Sequence, residues 1–169
     1  MLQKILNRLV RMVKFDAKVW EEIEHDEEAN MEALVIVLAA SLLSAIGSAV
    51  AQRSVGAFFA TLISGALLNW LLWSWLTMFI GTKLFQGQAT FWEMARTLGY
   101  ANAPVALGLL AVIPCLGVFI GLLGLVLAVV FGFFAVREAL DLPTEKAIIT
   151  IVIGWVILVV INVLLNIIL

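Results

Sequence analysis

One cysteine, one histidine and one tyrosine occur in 169 residues. Cys115 alone can form neither a disulfide framework nor a cysteine metal cage. His25 stands alone in an acidic stretch, which removes most catalytic dyads and histidine-based metal sites. No aspartate lies inside a long apolar run, so the paired aspartates of an intramembrane protease are missing too. Charge is also scarce. Only 13% of residues are charged and 64% are hydrophobic, with a mean hydropathy of +1.13. A soluble domain averages about 25% charged residues and about 45–50% apolar ones. A water-soluble core cannot absorb that surplus, so the composition implies an integral membrane protein. No catalytic residue, cofactor, metal site or nucleic-acid partner is expected. Lys4, Arg8, Arg11, Lys14 and Lys18 interrupt every early stretch that would serve as the apolar region of a signal peptide.

What the chain has instead is apolar length. At roughly 20 residues per spanning helix, five spans fit and no separate soluble domain does. The central stretch is Thr90–Pro114. Thr90 with Glu93 three residues later is a capping-box signature. After Gly99-Tyr100 the charges stop, Asn102 is the only strongly polar residue, and Pro104 predicts a bend. The other spans are expected near residues 33–51, 55–80, 118–136 and 147–169. Small residues recur at helical spacing in the first (Ala40, Ser44, Ser48, with Gly47 and Ala51) and in the second (Gly56, Ala60, Ser64). The fourth repeats the pattern in Gly117, Gly121, Gly124, Ala128 and Gly132. Such faces let helices approach closely in lipid. Trp70, Trp73 and Trp75 sit somewhat deep for an interfacial belt, and core filling is the other reading. Asn162 and Asn166 share a face of the last span and are expected to bond to another helix. The fold class is therefore all-α: five transmembrane helices preceded by an N-terminal amphipathic helix. The division is residues 1–32, cytoplasmic, and residues 33–169, transmembrane.

Residues 1–20 carry aliphatic side chains at three- and four-residue steps, with Lys4, Arg8, Arg11, Lys14 and Lys18 on the other side. That pattern predicts a helix in the headgroup plane, its cations meeting anionic lipid at roughly 1 kcal/mol each. A helix packed on the cytoplasmic mouth, or one that binds a partner, is the alternative. The acidic run from Glu21 to Glu32 reads as a solvated linker favouring the start of the next helix. Glu21, Glu24 and Glu28 sharing a helical face leave a divalent-cation site as the other reading. With the N-terminus in the cytoplasm, five spans put every cation but Arg53 on the cytoplasmic side.

Gly99-Tyr100 followed by Pro104 resembles the GYxxxP element of the Yip domain family, the Ypt/Rab-interacting-protein type of multi-pass membrane protein. Phe91, Ile113-Pro114, the glycine-rich fourth helix, the LPTEKA segment from Leu142 and the approach through Trp20 and Ile23 extend the resemblance over about residues 15–165. Ala17 stands where prokaryotic members commonly have proline. For eukaryotic members the resemblance implies membrane organisation or trafficking, often in complexes with other members; for prokaryotic members it implies no settled function. The DLYGP element of eukaryotic members is absent. That speaks against Rab-type GTPase binding and for a prokaryotic-like member in the inner membrane.

The leading expectation is a non-enzymatic scaffold that contacts anionic lipid and self-associates or joins other membrane proteins. On that reading residues 1–20 can be deleted without unfolding the bundle. The alternative is a small channel or transporter lined by Asn69, Glu93, Arg96, Tyr100 and Asn102.

Overall fold

Every element among the described residues is helical. The structure, a computed structural model, describes residues 1–113 and 116–168, apart from the side chains of residues 66–69, 111, 116, 118, 158, 159 and 161–168. The expectations for Pro114 and Cys115, and for the side chains of Asn69, Asn162 and Asn166, lie outside the described residues.

The expected single helix over residues 1–20 is two helices, α1 (Leu2–Val13) and α2 (Lys18–His25). The break is at Phe15, which takes a left-handed φ of 57°. Asp16 holds the turn. Its carboxylate accepts from the Lys18 backbone N–H at 3.1 Å and from Arg11 Nε at 2.8 Å. A short acidic side chain that bonds the backbone two residues on competes with helix continuation.

α3 (Ala29–Gln52) follows, ending at Arg53 in left-handed conformation. Ser54 caps α4 (Val55–Ile63), accepting from the Ala57 N–H. A π-helical segment, Ser64–Leu72, joins α4 without a break to α5 (Trp73–Phe85). The central stretch starts as expected. Thr90 and Glu93 form the reciprocal capping box, at 2.7 and 3.3 Å, and open α6 (Phe91–Ala101). The bend at Pro104 takes the form of a change of helix type. A 3₁₀ segment, Ala103–Val112, begins there with the proline in its first turn, where the missing N–H costs no bond. α7 (Leu116–Ala139) and α8 (Thr144–Ile168) complete the chain.

The 3₁₀ segment packs between α3 and α7, α6 lies against α3 and α7, and α5 lies against α8. The small-residue face of α3 is used. A Cβ on Gly47 would meet the backbone carbonyl of Gly108, and one on Gly108 would lie 2.5 Å from Ser44 Oγ. The fourth-helix pattern is used in part: Gly124 meets Pro104 O and Leu107, whereas Gly121 and Gly132 face open space.

Among the described residues, two helices, Ala29–Gln52 and Phe119–Ala139, are long and apolar enough to cross a membrane. Their outer faces are apolar. Leu38, Leu42 and Ile46 on α3, and Phe119, Leu122, Leu125, Val126 and Val129 on α7, are exposed. An uninterrupted apolar perimeter of that kind belongs in hydrocarbon.

Candidate functional site

The polar chemistry of the chain gathers at one end of the bundle, around the first turn of α3. Glu32 is placed there, where the helix dipole favours an anion, yet it is only 2% exposed. A carboxylate removed from water needs partners. Arg8 of α1 supplies the first, its Nη1 donating to Glu32 Oε2 at 2.6 Å. Tyr100 of α6, fully buried, donates its hydroxyl to the same oxygen. Arg8 is itself 2% exposed. Its Nη2 reaches Asp26 at 2.7 Å, its Nε reaches Glu22 at 3.1 Å, and its guanidinium lies 5.8 Å from the Tyr100 ring centre. One arginine thus ties α1, α2, α3 and α6 together. The planar guanidinium fork suits this task, which an ammonium cannot perform.

Outer pairs extend the network. Lys4 sits 2.7 Å from Asp26 and 3.2 Å from Glu28, and Arg11 lies 2.5 Å from Glu22. Burial works against the charge of Asp26 and Glu22, but hydrogen bonds from Lys4, Arg8 and Arg11 outweigh it and hold both carboxyls below their usual range. Burial likewise opposes the Arg8 charge, and its bonds to Tyr100, Asp26 and Glu22 prevail, raising its pKa.

The five cations expected to meet lipid headgroups therefore divide. Lys4, Arg8 and Arg11 are committed to carboxylates of the same chain. Lys14 and Lys18 are exposed and carry no ion pair among the described residues. The acidic stretch, expected to be a solvated linker, supplies the counterions. No group of metal-ligating side chains is found among the described residues.

Of the residues expected to line a polar cavity, the four whose side chains are described, Glu93, Arg96, Tyr100 and Asn102, have separate tasks. Glu93 caps α6. Arg96 is buried, donates from Nε to Glu24 O at 2.6 Å and lies 3.8 Å from Glu93. Tyr100 belongs to the Arg8 network. Asn102 donates to Leu98 O at 3.1 Å and borders an open, mostly apolar groove of about 260 Å³ beside Trp73, Val105, Gly132 and Trp155.

The Gly99-Tyr100 pair works as a unit. A Cβ on Gly99 would lie 2.6 Å from Ala33 Cβ and 3.2 Å from Trp70 Nε1. The missing side chain lets α6 touch α3 and lets Trp70 donate to Ala95 O at 2.7 Å. Of the clustered tryptophans, Trp70 therefore fills the core, Trp73 is half-buried, and Trp75 stacks on Phe79 at the surface.

Glu24, read from the sequence only as one of three acids on a helical face, has a different role in the fold. It is buried between α2 and its neighbours. Burial pushes its carboxyl up to about 7, with Asp141, Glu93 and Glu138 adding repulsion against the opposing effect of His25. A carboxyl whose folded pKa exceeds its unfolded value costs nothing below the unfolded pKa. Its penalty grows as pH rises toward the folded pKa. Asp26 and Glu22 act oppositely, since their stabilisation is lost as pH falls below the usual carboxylate range. Stability in detergent should therefore peak near pH 5 and decline toward pH 8. Glu24→Gln should remove most of that decline, on the order of 2–3 kcal/mol at pH 8, and change little at pH 5. Thermal melts followed by tryptophan fluorescence at both pH values test this; equal effects at the two would refute it.

A model of the Yip1 domain matches residues 11–165 of the chain. No curated protein and no solved structure matches it.

Proposed function

The chain belongs to the Yip1 domain family, and from that premise we propose that it is a non-enzymatic, five-span membrane scaffold whose N-terminal helix lies on the cytoplasmic face and meets lipid. The observation that carries this reading is the one-sided polar end. Every ion pair among the described residues lies where α1, α2, the start of α6 and the end of α7 come together. The Gln88 N–H, between α5 and α6, donates to Leu140 O, so the α7–α8 turn belongs to the same end. Arg53 ends α3 after 24 residues, roughly 36 Å away at 1.5 Å per residue. That charge asymmetry supports five spans with the N-terminus inside and the C-terminus outside. Glu93, Arg96, Tyr100 and Asn102, named for a channel, each have a structural partner or border a mostly apolar groove, which favours the scaffold.

Topology is tested by single cysteines in a Cys115→Ser background. Arg53→Cys should react with an impermeant thiol reagent from outside, and Glu145→Cys only from the cytoplasmic side. Labelling of both from one side would overturn the five-span arrangement. Lipid organisation is tested by reconstitution. Deleting residues 1–20 is the wrong variant, because it would strip Arg8 from buried Glu32. Leu6→Asp combined with Val13→Asp leaves the network intact and changes only exposed positions. It should bring vesicle remodelling down to that of lipid alone. Unchanged remodelling would count against a lipid-organising role.

A further inference from the structure

α1 has three faces. Ile5, Arg8 and Met12 are buried against the body. Lys4 and Arg11 turn to the carboxylates of Asp16, Glu22, Asp26 and Glu28. Leu2, Leu6, Val10 and Val13, at i, i+4, i+8 and i+11, form an exposed stripe with no charge in it, and Phe15 continues it at 57% exposure. The basic face, which ordinarily gives an interfacial helix its attraction to anionic lipid, is spent inside the protein.

The depth of this stripe follows from Phe15. Its ring meets Phe131 of α7 edge-on at 6.4 Å, and Trp20 packs on the same ring at 6.0 Å. Phe131 lies within the apolar helix Phe119–Ala139, six residues before Arg137, or about 9 Å at 1.5 Å per residue. Phe131 is itself buried, so Phe15, packed on it and still exposed, sets the end of the stripe beside the apolar segment of α7, at the depth where interfacial helices bury their apolar face. The charge balance points the same way. Residues 1–32 hold five basic and eight acidic side chains, so the α1–α2 unit is net negative with His25 neutral.

We infer that α1 docks on the acyl-chain boundary of the bilayer through Leu2, Leu6, Val10, Val13 and Phe15, and that this docking does not select anionic lipid. The inference rests on the reading of α1 as a lipid-contacting helix and names the lipid chemistry it takes. An anionic surface adds no net attraction, because Lys4, Arg8 and Arg11 already hold carboxylates of the same chain. Against Lys14 and Lys18 stand Glu21 and Glu27 of the same unit, which likewise carry no ion pair among the described residues.

The test uses the full chain in vesicles, in a Cys115→Ser background, with an environment-sensitive fluorophore at Leu6→Cys, Val13→Cys or, on the polar side, Asn7→Cys. Quenching by lipids spin-labelled near the top of the acyl chain is read in unsaturated phosphatidylcholine, with and without phosphatidylglycerol. Positions 6 and 13 should be quenched and position 7 not. Quenching should be equal in the two lipids within about 1.2-fold, and unchanged in 0.5 M salt, where the Debye length is about 4 Å. Quenching that is about 3-fold stronger with phosphatidylglycerol and lost in salt would overturn the inference while leaving lipid contact intact. Equal quenching at positions 6 and 7 would overturn the assignment of the stripe. No quenching at any position would overturn lipid contact by α1 altogether.

Discussion

Replacing Arg8 by alanine should lower the unfolding free energy by about 3–5 kcal/mol, the cost of removing one partner of a buried ion pair. The pair itself is not the source of that cost. Glu32 is buried in the folded protein, and without Arg8 the Tyr100 hydroxyl is its one remaining hydrogen-bond partner among the described residues. Asp26 keeps Lys4, and Glu22 keeps Arg11, so both are partly compensated. The penalty should therefore centre on Glu32. Arg8→Lys should recover only part of it, because one ammonium cannot reach Glu32, Asp26 and Glu22 together. The double variant Arg8→Met with Glu32→Met should recover most of it, since apolar replacement of both partners removes the unpaired charge. Thermal melts in detergent give the stabilities, and tryptic cleavage at Lys14 and Lys18 reports whether α1 has left the bundle. A single-variant cost under about 1 kcal/mol would mean that water reaches Glu32 and that the network does not hold the four helices.

That network was only half legible in the sequence. Elements whose cause is local could be read: the capping box of Thr90 and Glu93, the break of helix type at Pro104, and the apolar runs that became α3 and α7. Arg8 could not be read correctly, because its partners lie 14 to 92 residues away and periodicity carries no information about them. A basic face opposite an aliphatic face has the same pattern whether its counterions are lipid phosphates or the next helix. One signal was nevertheless present. A basic segment, residues 4–18, is followed at once by an acidic one, residues 21–32, and two adjacent helices of opposite charge are each other's nearest counterions. The break between them was missed because Phe15 and Asp16 are ordinary helix-compatible residues by type. The turn arises from the Asp16 side chain competing for the backbone. Glu24 was equally hidden, since its raised pKa comes from burial, which only the packing of α2 creates.

Gly99→Ala carries the second large expectation. It should destabilise by about 1–3 kcal/mol, as small-to-large changes in packed cores do. Helix propensity alone predicts the reverse, since alanine is favoured over glycine in a helix interior by about 1 kcal/mol. Packing should prevail because the new methyl would lie 2.6 Å from Ala33 Cβ, and its other neighbour, Trp70 Nε1 at 3.2 Å, is fixed by its bond to Ala95 O. Neither neighbour is the free end of a flexible chain. α6 would have to move off α3, and Tyr100 would move with it, away from Glu32. The loss should therefore be coupled to the Arg8 network: in Arg8→Ala, where Glu32 has already lost its arginine, adding Gly99→Ala should cost less than it does alone. Ala33→Gly should rescue Gly99→Ala, because it moves the missing methyl to the other side of the same contact and restores the approach of the two helices. A double variant no more stable than Gly99→Ala would show that the glycine serves the Trp70 bond and not the α3–α6 contact. Trp70→Phe in the Gly99→Ala background would then be the rescuing change.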